Sequence, residues 1–226
     1  MSNLKSIPDY RGALSLEKSR RVVKALASKS GVANFSELER LSSVKGSVLK
    51  YHLDRLIRFN IIEEEVRGTY RLRFKTPLCW IYDSLVDYAY LGLLGRRAGR
   101  REPEPATALR LLEEQDIKPR LVYVVTSIDA LKEWVDLKLT YQWILCYNDE
   151  ILDIDAIIGK VRPQLEALLR EYIVVMDCTS LTKPATIAYY DLAATYYVPL
   201  IYIYEDAEQL KWLISKDKLK NMLNLT

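Results

Sequence analysis

The residues best suited to chemistry in this sequence form one short polar loop, residues 177–184, which carries three hydroxyl side chains and Lys183. A continuous apolar run, 172–176, precedes the loop, and a stretch rich in small residues, 185–194, follows it. This pattern predicts a buried strand, a loop and a helix with Pro184 in its first turn. The free N–H groups and the dipole at a helix start favour an anion. The loop is therefore either an anion site or an ordinary turn with a solvated lysine.

Cysteine and histidine usage excludes several kinds of site. The three cysteines, Cys79, Cys146 and Cys178, are far apart and odd in number, so they match neither a disulfide framework nor a zinc ligand set. His52 is the only histidine, which rules out a histidine-based metal site or a Ser-His-Asp triad in the second half. We therefore expect no metal and no resident cofactor.

Charge is distributed unevenly along the 226 residues. Residues 1–76 hold 16 Lys and Arg against 8 Asp and Glu, whereas residues 77–226 hold 17 against 22. A basic first third on a mildly acidic body predicts that the first third meets a polyanion. No apolar run approaches the ~20 residues that span a bilayer, and the first residues lack an apolar signal core. The expectation is a soluble, cytoplasmic protein with no membrane partner.

Residues 1–75 show a helical and then a strand pattern. Ser36 and Glu39 have the spacing of a capping box, and Val48, His52, Leu53 and Leu56 lie at helical spacing as candidate core residues. The predicted helices are 16–28, 36–41 and 44–59, and the predicted hairpin has strands 61–66 and 69–74 joined by Arg67-Gly68.

Three helices followed by a hairpin form the winged helix-turn-helix arrangement. Residues 48–62 resemble the recognition helix and wing entry of ArsR- and MarR-type winged-helix regulators. In that fold the third helix enters the major groove of double-stranded DNA, while the wing contacts phosphate or the minor groove. The resemblance implies base contacts from Lys45, Ser47, Lys50 and Tyr51 and wing contacts from Arg67, Arg71 and Arg73. Winged helices also serve as protein-docking modules, which is the alternative.

A packed connector at 76–87 precedes a second domain, 88–226, in which apolar strands alternate with helices. This alternation predicts an α/β fold with a parallel sheet covered on both faces. With strand order 3-2-1-4-5, the first and fourth strands are neighbours where the order reverses, which is where ligands bind. The loops 92–101 and 177–184 should therefore converge. The last residues, about 207–225, are predicted to form a helix.

The second domain resembles the CRISPR-associated Rossmann fold (CARF) domain. Members carry a first strand that ends in a glycine-containing loop and a motif Asp-x-Thr-Gly-Gly-Thr-Lys-Pro after the fourth strand. Asp177, Thr179, Thr182, Lys183 and Pro184 match that motif, while Ser180 and Leu181 stand where the family has two glycines.

The resemblance implies a homodimeric sensor of cyclic oligoadenylate, with cyclic tetra-adenylate the expected ring. Winged helix plus CARF is similar to the CRISPR-associated transcriptional regulators, although the family usually places the CARF domain first. The ligand-binding residues that the resemblance and the anion chemistry of the loops imply are Gly92, Gly95, Arg96, Arg97, Asp177, Thr179, Ser180, Thr182 and Lys183.

Two alternatives remain open. Some CARF proteins are ring nucleases that cleave the messenger without metal, and Lys183 matches the lysine that stabilises charge in them. The serine that those enzymes carry at the end of the first strand is not evident here, because Leu94-Gly95 stands there. A regulator that senses another nucleotide or metabolite is the second alternative, but Gly92-Leu93-Leu94-Gly95 is not the dinucleotide fingerprint.

Overall fold

The computed structural model describes residues 7–136, 140–204 and 207–225. The chain divides into two compact units. The N-terminal unit contains residues up to 86, together with 169–173 and those from 216 onward, and the sheet unit contains Asp87–Leu168 and Val174–Ser215. The predicted domain limits at residues 1 and 226 lie outside the described residues.

In the N-terminal unit, short helices pack with a small antiparallel sheet. The sheet has strand order β1-β3-β2, and Gly68, with φ of 79°, sits at the turn between β2 and β3, as the hairpin pattern predicts. The elements are α1 (Tyr10–Ala13), α2 (Glu17–Ser28), β1 (Val32–Asn34), α3 (Phe35–Ser42), α4 (Gly46–Arg58), β2 (Ile62–Val66), β3 (Thr69–Leu72) and α5 (Leu78–Ile81).

Two local predictions for these helices were wrong. The capping box of α3 is formed by Asn34 and Glu37, because Asn34 ends β1 in an extended conformation with its side chain free to accept from the Glu37 N–H. On α4 the side chain at 49 is buried, whereas Val48 is 41% exposed. Leu49, with residues 52, 53 and 56, gives the regular i, i+3, i+4, i+7 stripe, which Val48 does not.

The sheet unit is built on a six-stranded sheet with order β6-β5-β4-β7-β8-β9. Its first five strands have the predicted 3-2-1-4-5 order, and the pairs β4–β5, β5–β6 and β7–β8 are parallel. The mixed α/β, mainly parallel architecture is therefore confirmed. The elements are β4 (Tyr88–Leu94), α6 (Glu104–Glu113), β5 (Pro119–Ser127), α7 (Ile128–Lys132), β6 (Gln142–Cys146), α8 (Ile154–Glu171), β7 (Ile173–Asp177), α9 (Lys183–Tyr196), β8 (Leu200–Tyr204) and β9 (Gln209–Ile214).

The predicted helix at about 207–225 was wrong. Residues 209–214 form β9, which pairs antiparallel with β8, and only Lys216–Met222 is helical, as α10. Leu210 and Trp212 pack on the core of the sheet unit while Gln209 and Lys211 are exposed, which is the period-two pattern of an edge strand. No helix in the described part of the chain is long and apolar enough to cross a membrane.

Candidate functional site

The loop after β4 touches the loop after β7, as the strand order predicts. The Gly95 N–H donates to Ser180 Oγ at 2.7 Å, and that hydroxyl donates to Glu104 Oε1 at 2.8 Å. A Cβ on Gly95 would lie 2.7 Å from Ser180 Oγ and 3.2 Å from the Leu181 nitrogen. Glycine is therefore required at 95 for the two loops to meet this closely.

Asp177, the last residue of β7, fixes the start of the loop 177–184 through hydrogen bonds. It is fully buried, and its carboxylate accepts hydrogen bonds from Tyr90 OH at 2.5 Å, from the Thr179 N–H at 2.9 Å and from the Thr179 hydroxyl. The same hydroxyl accepts from the Ile203 N–H at 2.9 Å. Burial raises the pKa of Asp177 to about 6, against which the three hydrogen bonds favour the charged form. The carboxylate lies beneath the loop and does not line the cavity described below.

Gly92 makes room for the tyrosine that reaches Asp177. A Cβ at Gly92 would lie 2.4 Å from the ring and the hydroxyl of Tyr90. The Gly92 carbonyl also accepts a hydrogen bond from Tyr189 OH at 3.1 Å. Of the two glycines singled out in the sequence, Gly95 lines the cavity, whereas Gly92 lies within β4 and does not line it.

In the loop 177–184, a residue other than glycine has a positive φ angle. Leu181 has φ of 77°, in the left-handed region that glycine adopts at lower cost. Leu181 stands where the motif that the loop resembles has glycine, and it adopts a conformation that is usual for glycine. Thr182 then caps α9 by accepting from the Ala185 N–H at 3.3 Å, while its hydroxyl donates to the Ile151 carbonyl.

A cavity of about 580 Å³ lies where these loops meet. From the predicted set it is lined by Gly95, Arg96, Thr179, Ser180 and Thr182. Its other walls come from residues that were not predicted: Ala98, Arg100, Glu104, Ser127, Ala130, Asn148, Ile151, Leu152 and Leu181.

Part of this missed set carries a signal that sequence reasoning could have used. Ser127 is the last residue of β5 and Asn148 follows β6, so extending the rule about strand ends to every parallel strand would have found them. No sequence pattern marks Glu104 as a cavity residue. It reaches the cavity only because the segment after β4 folds back and places the start of α6 there.

The predicted cations occupy different environments. Arg96 lines the cavity and its side chain is 70% exposed. Arg97 does not line it, because its guanidinium bonds both carboxylate oxygens of Asp136 at 2.7 Å and lies over the Trp134 ring. Those bonds hold the pKa of Asp136 below its ordinary value. Lys183 is exposed as the first residue of α9 and is not a lining residue.

In the N-terminal unit, the predicted DNA contacts separate into two groups. One group is exposed: Lys45, Ser47, Lys50 and Tyr51 at α4, and Arg67 at the turn between β2 and β3. Within this group, Lys50 pairs with Asp54 at 2.9 Å. The other group is engaged within the unit. Arg71, with a side chain only 18% exposed, pairs with Glu171 at 2.8 Å and Glu65 at 3.3 Å, and Arg73 donates to Asn60 at 3.4 Å.

No protein-family model and no curated protein sequence matches the chain. Solved structures that resemble part of it include the following three. Protein VC1899 from Vibrio cholerae has a TM-score of 0.45 and 13% identity over 57% of this chain and 34% of that chain.

Can2 from Sulfobacillus thermosulfidooxidans, in complex with cyclic tetra-adenylate, has a TM-score of 0.38 and 15% identity over 57% of this chain and 35% of that chain. Enterococcus italicus Csm6, bound to cyclic hexa-2′-fluoro-hexa-dAMP, has a TM-score of 0.40 and 12% identity over 62% of this chain and 39% of that chain. In each case the matched part is well under two thirds of the other protein.

Proposed function

We propose that this protein is a CRISPR-associated transcriptional regulator that senses cyclic tetra-adenylate in its sheet unit and binds DNA through its N-terminal unit. One observation carries the proposal. The loop that matches the CARF motif, residues 177–184, forms one wall of a 580 Å³ cavity at the point where the strand order of the sheet reverses. Ligands of doubly wound sheets bind at that point.

The chemistry of the cavity rim supports an anionic ligand. Arg96 and Arg100 line it, and α9 begins beside it at the Thr182 cap. Guanidinium groups and helix N-termini are the usual partners of phosphate. Lys183, exposed at the start of α9, would contact the parts of a ring that extend beyond the cavity.

The size of the cavity supports a dimer. Its volume suits a ligand of drug-like size, and a ring of four nucleotides is larger than that. A two-fold axis would bring two cavities and two Lys183 side chains to one ring, whose own symmetry is compatible with the axis. The homodimer is thus part of the proposal.

Binding of radiolabelled cyclic tetra-adenylate to the full chain tests the ligand. We expect the wild-type protein to retain the ring intact and Lys183→Ala to bind it at least about tenfold more weakly, since a desolvated charge-assisted contact would be lost. Lys211→Ala, an exposed lysine on the edge strand β9, is the matched control and should bind normally. Affinity is measured by filter retention, and a denaturing gel shows the state of the bound nucleotide.

The gel separates the proposal from its rivals. Linear product would mean that the protein is a ring nuclease and would overturn the assignment as a sensor that leaves the ring intact. If the ring is neither retained nor cleaved, the choice of ligand is overturned. Unchanged affinity in Lys183→Ala, with the ring retained, would remove Lys183 from the site.

The order of helices and strands in the N-terminal unit supports the proposal that it binds DNA. Helices α2, α3 and α4 with the sheet β1-β3-β2 follow the succession of a winged helix-turn-helix, with α4 as the recognition helix and the β2–β3 turn as the wing. A ligand-driven change in dimer geometry would reset the separation of two recognition helices, which must match half-sites ~34 Å apart.

Arg67 and Arg71 provide an internal comparison on the wing. We expect Arg67→Ala to weaken binding of a random-sequence duplex severalfold and to lower the salt slope by about one, because an exposed cation that meets phosphate releases a counterion. Arg71→Ala should leave the slope unchanged and cost about 1 kcal/mol of stability, since its charge already pairs with two carboxylates. Anisotropy titrations at several salt concentrations measure the slope. Equal slopes for Arg67→Ala and wild type would argue against the wing contact.

A further inference from the structure

A groove of about 290 Å³ lies between helices α2 and α3 of the N-terminal unit. One wall is a face of α2 that carries Arg21 and Lys24, and the other wall is the end of α3, with Leu41 and Ser42. The contacts with DNA proposed above, at α4 and the hairpin β2–β3, include none of these residues. The groove is therefore a separate surface of the same unit.

The cations of this groove are exposed and have no counter-charge. Within residues 7–136, 140–204 and 207–225, neither Arg21 nor Lys24 forms an ion pair. Lys18, three residues before Arg21, is also exposed and unpaired there, and this spacing places the three side chains along one face of α2. Glu17 is the one acidic residue of α2. This face of the helix is therefore a row of three uncompensated positive charges.

The surfaces already proposed for DNA carry more counter-charge. On α4, Lys50 pairs with Asp54 at 2.9 Å. In the hairpin, β2 holds three glutamates in succession, residues 63–65, and Arg71 of β3 is neutralised by one of them and by Glu171. Carboxylates beside a cation offset its attraction for phosphate. The face of α2 is therefore better suited than the hairpin to attract the backbone of a duplex.

The groove also lies close to the start of the proposed recognition helix. Ser42 ends α3, and α4 begins at Gly46 after a short turn. In a helix-turn-helix the first residues of the recognition helix reach base edges, while the preceding helix crosses the sugar–phosphate backbone. In this unit α3 is that preceding helix. Cations that share a groove with its last residues are therefore placed beside the backbone that flanks the bases.

We infer that the groove between α2 and α3 is a phosphate-binding surface, in which Arg21 and Lys24 contact the backbone of the duplex that α4 enters. The inference rests on the proposed DNA binding of the N-terminal unit and adds a surface to it. Guanidinium and ammonium groups that bind phosphate position a protein on DNA without reading its sequence. The groove therefore raises the affinity for every duplex and leaves base preference to α4.

The salt dependence of DNA binding by the full chain tests the groove. Each phosphate contact contributes about 0.9 to the slope of log affinity against log salt concentration. The double variant Arg21→Gln/Lys24→Gln should therefore lower the slope by about two and weaken binding of a random-sequence duplex at least about tenfold at ~0.1 M salt. The charge-conserving variant Arg21→Lys/Lys24→Arg should keep the wild-type slope, because counterion release depends on the charge. Anisotropy titrations at several salt concentrations measure these slopes.

A matched variant separates a local contact from the effect of net charge. Lys118→Gln/Lys211→Gln removes the same charge from exposed positions of the sheet unit and should keep the wild-type slope. An unchanged slope in the groove variant, or an equal loss in this control, would overturn the inference and leave DNA binding through α4 and the hairpin intact. Failure of the wild-type protein to bind the duplex would overturn both the inference and the proposed DNA binding.

Discussion

Replacement of Gly95 by alanine is expected to lower the free energy of unfolding of the sheet unit by about 2–3 kcal/mol. The new methyl group would lie 2.7 Å from Ser180 Oγ, and that hydroxyl cannot swing away cheaply. It bonds both the Gly95 N–H and the Glu104 carboxylate, and each buried group left without its partner costs about 1–3 kcal/mol. Denaturant unfolding followed by tryptophan fluorescence measures the change.

A second substitution tests the assigned cause. Ser180→Ala removes the oxygen that the new methyl group strikes, so Gly95→Ala should cost less in that background than in the wild type. The two changes should therefore be non-additive by 1 kcal/mol or more, whereas independent sites add within about 0.5 kcal/mol. Additive effects would mean that the Gly95–Ser180 contact does not limit the approach of the loops.

Gly159 supplies the matched control for this experiment. It lies in α8, and a Cβ there would meet nothing within 4 Å. Gly159→Ala should be neutral or should stabilise the helix by about 0.5–1 kcal/mol. A loss of stability at 95 alone would then report the close approach of the two loops and not a general effect of replacing glycine.

The stability of the sheet unit is expected to carry a pH-dependent contribution from Asp177 of about 3 kcal/mol. Burial raises the pKa of Asp177 from 3.8 to about 6, so the folded state holds the proton more tightly than the unfolded state. The contribution is fully present below about pH 4 and is lost as the pH rises through about 6. Above that pH the fold carries a buried carboxylate, which Tyr90 and Thr179 stabilise.

Asp177→Asn isolates this contribution because the amide stays neutral throughout. The unfolding free energy of wild type minus that of the variant should fall by about 3 kcal/mol between about pH 3 and pH 7. Asp136→Asn is the control of opposite sign, since Arg97 lowers the pKa of Asp136 and its contribution is lost toward acid. A difference between wild type and Asp177→Asn that is independent of pH would show that the buried carboxyl does not titrate in this range.

The sequence alone determined the succession of the first five strands of the sheet unit and the location of the two loops. Apolar runs separated by helical patterns specified a parallel sheet because a strand covered on both faces must be apolar throughout. The order 3-2-1-4-5 is one of the few topologies that such alternation allows. Under that order the convergence of Gly95 with residues 177–184 was predictable.

Prediction from the sequence failed for segments whose secondary structure depends on pairing with, or following directly after, another element. Residues 209–214 contain enough Leu, Ile and Lys to suit a helix, and only the open edge of β8 makes them β9. Local propensity is a weak prior that tertiary pairing overrides. The capping box of α3 begins at Asn34 and not at the predicted Ser36, because Asn34 ends β1 and therefore has the extended backbone that a capping residue needs.

The roles of the individual site residues also came only from the tertiary structure. Type and spacing grouped Asp177, Arg97 and Lys183 with the cavity residues, but Asp177 is buried beneath the loop and Arg97 is held by Asp136. Conversely, Glu104 lines the cavity from a helix that carries no motif. A sequence pattern records which chemistry is present near a strand end. Which side chains face the cavity depends on hydrogen bonds between segments far apart in the chain, such as Gly95 to Ser180 and Ser180 to Glu104.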